Sequence, residues 1–393
     1  MNSKNEICIG MAGAGRATEL HINELSRYTG IPVSLKHIIA RIEKNLRISK
    51  ERYGFINASN NFEDLLNDDE IDVIDICTPP YMHEEMIIKS LRAGKHVICE
   101  KPLCGYFGLD NHKIPIGKNV SKVYMYDRVI ESINRINEEI QKSKKKFMYA
   151  ENFIYAPAIN KAAEIIKKKK SRILYAKGEE SLKGSSSPVA GEWSKTGGGT
   201  FMRTGSHPLS AILWLKKIEG EARGEKIFVT SVLADMGNVT ENLSEYEHRH
   251  IEARPKDVED FGNVILTFSD GSKATIIATD TLLGGSKNYI ELYCNDAVIN
   301  CNLTMSNLMS TYFLDEDRLD DVYLSEMLPS KIGWNYPFLE DEIIRGYTDE
   351  MRNFMNDIYY DRTPKSGFDL AADTIKLIYA AYKSAELGRV IKL

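Results

Sequence analysis

The chain has 393 residues, enough for two to three domains at roughly 150 residues each. Hydrophobic residues make up 43% and charged residues 27%, which excludes a disordered, collagen-like or disulfide-dense chain. Fifty-one basic against 56 acidic side chains leave a net charge of −5; a dedicated nucleic-acid binder carries a strong basic excess, so the expected partner is a small molecule or another copy of the chain.

No apolar run reaches the ~18 residues that a membrane span needs, and the polar start Met1–Glu6 shows no signal-peptide pattern. The six cysteines, Cys8, Cys77, Cys99, Cys104, Cys294 and Cys301, form no C-x-x-C pair. They read as buried reduced thiols, no metal site is expected, and the protein is expected to be cytoplasmic.

In chain order, Glu6–Met11 is an apolar run ending in glycines, the pattern of a buried parallel strand. A helix follows, with Leu20 and Leu25 as core contacts. Val33–Ala40 reads as a second strand, Ile42–Tyr53 as a charged helix and Ile71–Cys77 as a third strand. Tyr81–Arg92 is helical and stops at Gly94; Lys95–Cys99 is a fourth strand. Strands that alternate with helices cannot pair as hairpins, so the first half is expected to be α/β, a doubly wound parallel sheet of Rossmann type.

After about Ala150 the pattern changes. Phe261–Phe268, Lys273–Thr279, Tyr289–Tyr293 and Ala297–Cys301 are strand-like, and Ser269-Asp270-Gly271 turns between the first two. Short turns between strands indicate an antiparallel sheet. Glu340–Tyr359 and Gly367–Leu387 are the last two helical patterns. The expected organisation is a dinucleotide-binding domain over 1–149 and an α+β domain over 150–393 that carries substrate and subunit contacts. The lysine runs 142–146 and 167–170 belong at helix ends, where cations suit the dipole.

The turn after the first strand reads Gly10-Met11-Ala12-Gly13-Ala14-Gly15-Arg16-Ala17-Thr18. Gly13 and Gly15 permit a tight strand-to-helix turn and let backbone N–H groups approach a pyrophosphate, with Ala14, Arg16 and Ala17 beside it. Thr18 stands where a third glycine would favour close helix–strand packing. At the end of the second strand an acid would bind a ribose 2′-hydroxyl; here Ala40-Arg41 offers a cation instead, which favours NADP over NAD.

Two further segments, Cys77-Thr78-Pro79-Pro80-Tyr81-Met82-His83 and Gly94-Lys95-His96-Val97-Ile98-Cys99-Glu100-Lys101-Pro102, resemble the glucose–fructose oxidoreductase/inositol dehydrogenase/MocA family. The resemblance continues through Glu151-Asn152-Phe153-Ile154-Tyr155, Gly197–Pro208, Val258–Phe261 and Ser384–Arg389. It implies a Rossmann domain joined to an α+β domain with an open-faced, mainly antiparallel sheet, often used to form dimers or tetramers. It also implies that Lys101 and His207 are catalytic, moving a substrate hydroxyl proton. Cys77, Thr78, Pro79, His83, Glu100, Lys101 and Asn152 then line the cofactor. Tyr155, Trp193 and Arg203 join Lys101 and His207 at a carbohydrate-like substrate. The implied reaction is hydride transfer between NAD(P) and a secondary alcohol or ketone of a sugar, cyclitol or derivative, acidic or neutral. A redox-neutral epimerase or eliminating glycosidase with tightly held NAD, and a non-catalytic NAD(P)-sensing regulator, are the alternatives.

Two features depart from the family pattern. Many members carry Asp four residues before the histidine, and this chain carries Arg203. Arg203 either depresses the pKa values of Lys101 and His207, or binds a substrate carboxylate or phosphate, or pairs with an internal acid such as Glu151 or Glu179. The second departure is an additional stretch, Gly105–Tyr126, read as a lid or subunit contact near the cofactor.

Overall fold

The computed structural model describes residues 6–27, 30–187, 189–304, 311–316, 324, 330–335 and 341–393. Its contacts fall into two compact units that interleave along the chain. The first comprises 1–106, 126–155 and 346–376; the second comprises 107–125, 156–345 and 377–393.

The first unit is built on a six-stranded parallel sheet: β1 (Ile7–Ala12), β2 (Val33–Ile39), β3 (Asn57–Ser59), β4 (Val73–Ile76), β5 (His96–Glu100) and β6 (Phe147–Ala150), in the order β3-β2-β1-β4-β5-β6. Every residue of β1, β4 and β6 is buried, as a sheet covered on both faces requires. Met11, Ile22, Ile38 and Phe55 form one core cluster on its face. Leu20 and Leu25 are buried as expected on the helix Arg16–Arg27. β3 and β6 are strands that the pattern did not reveal: β3 has three residues and no apolar run, and β6 follows a lysine stretch.

The second unit carries a seven-stranded sheet of β7 (Ile173–Leu182), β8 (Val229–Gly237), β9 (Phe261–Phe268), β10 (Lys273–Thr279), β11 (Ser286–Cys294), β12 (Val298–Asn302) and β15 (Ile391–Lys392). The order is β12-β11-β7-β10-β9-β8-β15, and every pairing is antiparallel except β7 with β10. β13 (Thr311–Phe313) and β14 (Gly333–Asn335) form a separate antiparallel pair. Helix Ser206–Arg223 packs on β7 and on helix Pro157–Lys169. Both lysine runs do lie at helix C-termini, after Lys122–Ser143 and within the last turn of Pro157–Lys169.

One expected helix is two. Glu340 lies outside the described residues, and the rest of 340–359 forms Asp341–Arg345 and Tyr347–Tyr359. Gly346 separates them at φ 98°, a left-handed conformation that ends a helix and that a side chain disfavours.

Candidate active site

Strands β1, β4 and β5 are neighbours in register, Ala12 beside Ile76 and Ile76 beside Cys99, so their C-terminal ends bring three loops of the first unit to one edge. Those loops begin with Gly13, Cys77 and Glu100-Lys101. Gly13 has φ 117°, and a Cβ there would lie 2.5 Å from the Cys77 carbonyl oxygen, so only glycine fits. Gly15 differs: it is exposed, and a Cβ there would meet nothing within 4 Å. Open space directly before the first turn of helix Arg16–Arg27, where amide N–H groups lack helical partners, suits a dinucleotide pyrophosphate. Ala14 and Ala17 are half-buried. Thr18, in place of the third glycine, is only 1% exposed, so the helix closes on it; its hydroxyl finds no partner among the described residues.

Around this turn the charged groups arrange themselves in two ways. Arg16 is exposed and pairs with Glu19 at 3.0 Å, which Arg52 also reaches at 2.9 Å. Arg41 is exposed just past β2 and makes no ion pair or hydrogen bond to a described residue. Beneath the turn the arrangement is dense. His21 Nδ1 meets Asp75 at 2.9 Å and the Cys77 thiol at 3.5 Å, and His21 Nε2 faces Glu100 at 3.3 Å. Burial by itself lowers the His21 pKa, but Asp75 and Cys77 together outweigh it and hold the imidazole well above its ordinary value. Burial pushes the Cys77 thiol up to about 12. His21, Asp75 and Cys77 have the proximity of a metal triplet. Glu350, fully buried on helix Tyr347–Tyr359, faces the same cluster; burial raises its pKa well above the ordinary carboxyl value.

The Glu100-Lys101 loop is fixed from both sides. Glu100 accepts a hydrogen bond from the Lys101 amide at 3.0 Å. His83, buried at the start of helix His83–Arg92, lies between the Pro102 and Thr78 carbonyls at 2.8 and 2.9 Å and, when neutral, donates its one ring N–H to one of them, packing between the β4 loop and the β5 loop. Burial lowers the His83 pKa. Thr78 contacts Met86 through its hydroxyl, and Pro79 is exposed. Lys101 is half-buried, and Asn152 lies buried in the turn after β6. Tyr155 is buried in the same turn, edge-on to Phe354 and beneath the Lys365 ammonium at 4.6 Å.

In the second unit the remaining candidates sit on the segment 193–207 and its supports. Glu259 is buried and accepts from the Gly199 and Phe201 amides at 2.8 and 2.9 Å and from Tyr382 at 2.9 Å. A Cβ at Gly199 would overlap the Glu259 backbone and one at Gly198 the Tyr382 hydroxyl, which accounts for those two glycines. Burial raises the Glu259 carboxyl to about 7. The segment continues as a π-helical turn, Phe201–Gly205, into helix Ser206–Arg223, which carries His207 in its first turn. Trp193 is buried against Tyr382, with the Lys122 ammonium 4.5 Å above its ring.

Arg203 pairs with Asp280, buried just past β10 and also bonded to the Thr200 hydroxyl. An internal acid does therefore answer Arg203, but neither of those expected: Glu179 pairs with Lys287, and Glu151 belongs to the first unit. Asp280 lies 77 positions downstream, and only an acid closing an alternating strand marks it in sequence. Of the 105–126 stretch, residues 107–125 belong to the second unit and are anchored there. Asp257 accepts from Gly117 and Trp193 amides at 2.9 and 2.7 Å, and Glu386 caps the start of helix Lys122–Ser143.

The family model described as an oxidoreductase family with an NAD-binding Rossmann fold matches residues 7–107, and the GFO/IDH/MocA C-terminal domain matches 171–300. Myo-inositol 2-dehydrogenase of Thermotoga maritima is 23% identical over 386 residues, 98% of each chain. Two closer but partial relatives are the uncharacterized oxidoreductase YrbE of Bacillus subtilis, 35% identical over 27% of this chain, and levoglucosan dehydrogenase of Pseudarthrobacter phenanthrenivorans, 32% identical over 24%. The chain spans only 30% and 26% of the length of those two relatives. Among solved structures, GenD2 from gentamicin A biosynthesis in complex with NAD has a TM-score of 0.78 at 19% identity, covering 100% of this chain and 98% of that one. Scyllo-inositol dehydrogenase of Lactobacillus casei has a TM-score of 0.73 at 16% identity, covering 99% and 98%. These structural likenesses concern the fold.

Proposed function

The chain belongs to the Gfo/Idh/MocA oxidoreductase family, and on that footing we propose that it is an NAD(P)-dependent dehydrogenase or reductase acting on a secondary hydroxyl or ketone of a sugar, cyclitol or related molecule. The observation that supports this most is the shared edge of β1, β4 and β5. There the space before helix Arg16–Arg27, the Cys77–Pro79 loop and the braced Lys101 all lie in one unit. The myo-inositol 2-dehydrogenase among the relatives supports that substrate class.

When bound, the nicotinamide supplies the hydride acceptor or donor. Gly13, Ala14, Gly15, Arg16 and Ala17 hold the pyrophosphate; Thr78, Pro79, His83, Glu100 and Asn152 frame the rest. Arg41, with no acid at the end of β2, suits a 2′-phosphate, so NADP is preferred to NAD. Lys101 and His207 move the hydroxyl proton, accepting it in oxidation and donating it in reduction. Substrate contacts come from Lys101 and Tyr155 of the first unit and from Trp193, Arg203 and His207 of the second, whose sheet also serves as the surface for a homodimer or tetramer. Among the described residues no helix is long and apolar enough to cross a membrane.

The test is absorbance at the nicotinamide band with myo-inositol and common hexoses, for the wild-type protein and for Lys101→Ala, His207→Ala and Arg41→Ala. The two catalytic variants lose roughly 10²–10⁴ in kcat. Arg41→Ala weakens NADPH binding by about tenfold or more, as loss of a charge-assisted hydrogen bond does, and leaves NADH unchanged. A protein that binds neither nucleotide sinks the proposal.

A further inference from the structure

Beneath the glycine turn a single imidazole faces two acids. His21, on helix Arg16–Arg27, and Asp75, on β4, are both fully buried, and both Asp75 oxygens lie at His21 Nδ1, at 2.9 and 3.1 Å. The opposite nitrogen, Nε2, lies 3.3 Å from Glu100 Oε1, an ion-pair distance without hydrogen-bond alignment. Glu100 ends β5, and its other oxygen, Oε2, accepts from the Lys101 amide at 3.0 Å. On the far side of Lys101, the Pro102 carbonyl lies 2.8 Å from His83. Asp75, His21, Glu100 and the Lys101 backbone thus form one chain of contacts, all within the first unit, from the interior of the sheet to the loop that carries Lys101.

A neutral imidazole carries one N–H. An ionised carboxylate only accepts, so Asp75 places that proton on Nδ1, and Nε2 would then turn a lone pair toward Glu100. With a second proton on Nε2 both contacts become attractive, and one cation answers a carboxylate on each side. The Cys77 thiol, 3.5 Å from Nδ1, and Glu350, on helix Tyr347–Tyr359, face the same imidazole. Asp75 and Cys77 both favour its protonated form. Asp75 has no other ion pair among the described residues, so an uncharged side chain at position 21 leaves a fully buried carboxylate without its cation.

We infer that His21 is a positioning residue for the reaction: as an imidazolium shared between Asp75 and Glu100, it holds the Glu100 carboxylate against the Lys101 amide and so fixes the loop that presents Lys101. This rests on the dehydrogenase reading for the role of Lys101, and on the buried contacts alone for the charge and its two partners.

Two measurements on the full chain test it. The first needs no substrate: a nitrogen NMR spectrum, at neutral pH, of protein labelled in its histidine rings. His21 is identified by the change of its signals in Asp75→Asn and in Glu100→Gln, and both of its ring nitrogens should carry protons. A neutral His21 ring overturns the inference. The second is a double-mutant cycle on kcat, counted per nucleotide-binding site, with myo-inositol and the common hexoses as probes. His21→Asn can still donate an amide N–H to Asp75 but carries no charge; it should lower kcat by roughly 10–100-fold and leave the substrate KM unchanged. Because His21 acts through Glu100, His21→Asn should add no more than about twofold to the loss that Glu100→Gln causes alone. A His21 that served only the fold would lower the folded fraction and not kcat per site. Losses that multiply, or a wild-type kcat per site in His21→Asn, therefore sink the inference. Should His21→Asn fail to fold, Asp75→Asn takes its place in the cycle with the same expectation. A cationic His21 in a protein that binds no nucleotide, or turns over no probe, leaves the buried contacts standing and overturns the dehydrogenase reading for these substrates; turnover with a neutral His21 ring does the reverse.

Discussion

Glu259 holds the glycine segment through three hydrogen bonds, yet burial raises its carboxyl to about 7. The folded protein therefore keeps a proton on this side chain up to about pH 7, whereas the unfolded chain releases it near the ordinary value of 4.5. Between those values the folded state binds more protons, so this residue's contribution to stability is lost as pH rises from 4.5 to 7. A Glu259→Gln variant lacks that titration. Chemical denaturation across this range should give the variant a flatter pH slope than the wild type, with a difference of up to about 3 kcal/mol across the window; identical slopes would falsify the assignment. The sequence marked Glu259 only as a family landmark, because nothing local says that its carboxylate turns back to residues 199 and 201. His21 and Glu350 escaped notice for the same reason. Their partners lie on β4, on β5 and near the other end of the chain, and each is an ordinary polar residue on an amphipathic helix.

At the scale of elements, legibility followed burial pattern. β1, β2, β4 and β5 announce themselves as apolar runs, and β9 and β10 alternate cleanly between buried and partly exposed positions. β7 did not, although it is central to its sheet. It carries Lys177, Glu179 and Glu180, and the last two are buried, with Glu179 bonded to Ser181 and paired with Lys287. A strand whose charges are answered by cross-strand neighbours has no period that sequence alone reveals. The β1-to-helix turn allows a sharper prediction because its two glycines serve different ends. Gly13→Ala forces a Cβ against the Cys77 carbonyl at a positive φ, and the protein should lose ~1–3 kcal/mol of stability. Gly15→Ala meets only open space, so stability should change by less than about 0.5 kcal/mol while cofactor affinity falls. Thermal unfolding alongside nucleotide titration separates the two; equal loss of stability in both variants would show that Gly15 serves the fold and not a ligand.

For the molecule as a whole, the parallel-then-antiparallel order of elements was readable, and the sequence suggested one cut near residue 149. The compact units instead interleave, and the first takes in 346–376. Helix Tyr347–Tyr359 packs on helix Arg16–Arg27, Thr348 donates to Glu24, and Ser366 receives the Tyr149 amide. Expressed alone, residues 1–149 should therefore lack cooperative unfolding, and a version that joins 1–155 to 346–376 through a flexible linker should recover it. Calorimetry decides, and a cooperative transition for 1–149 alone would show that the late segment is dispensable.

The same interleaving sets an order of events on the ribosome. Between Tyr155 and Gly346 lie the 190 residues 156–345. At ~5–20 residues per second these take roughly 10–40 s to translate. Throughout that interval the nascent cofactor-binding unit has its whole sheet but not the helix that covers the His21 face. Its glycine turn emerges long before residues 346–376, the last segment that this unit takes in.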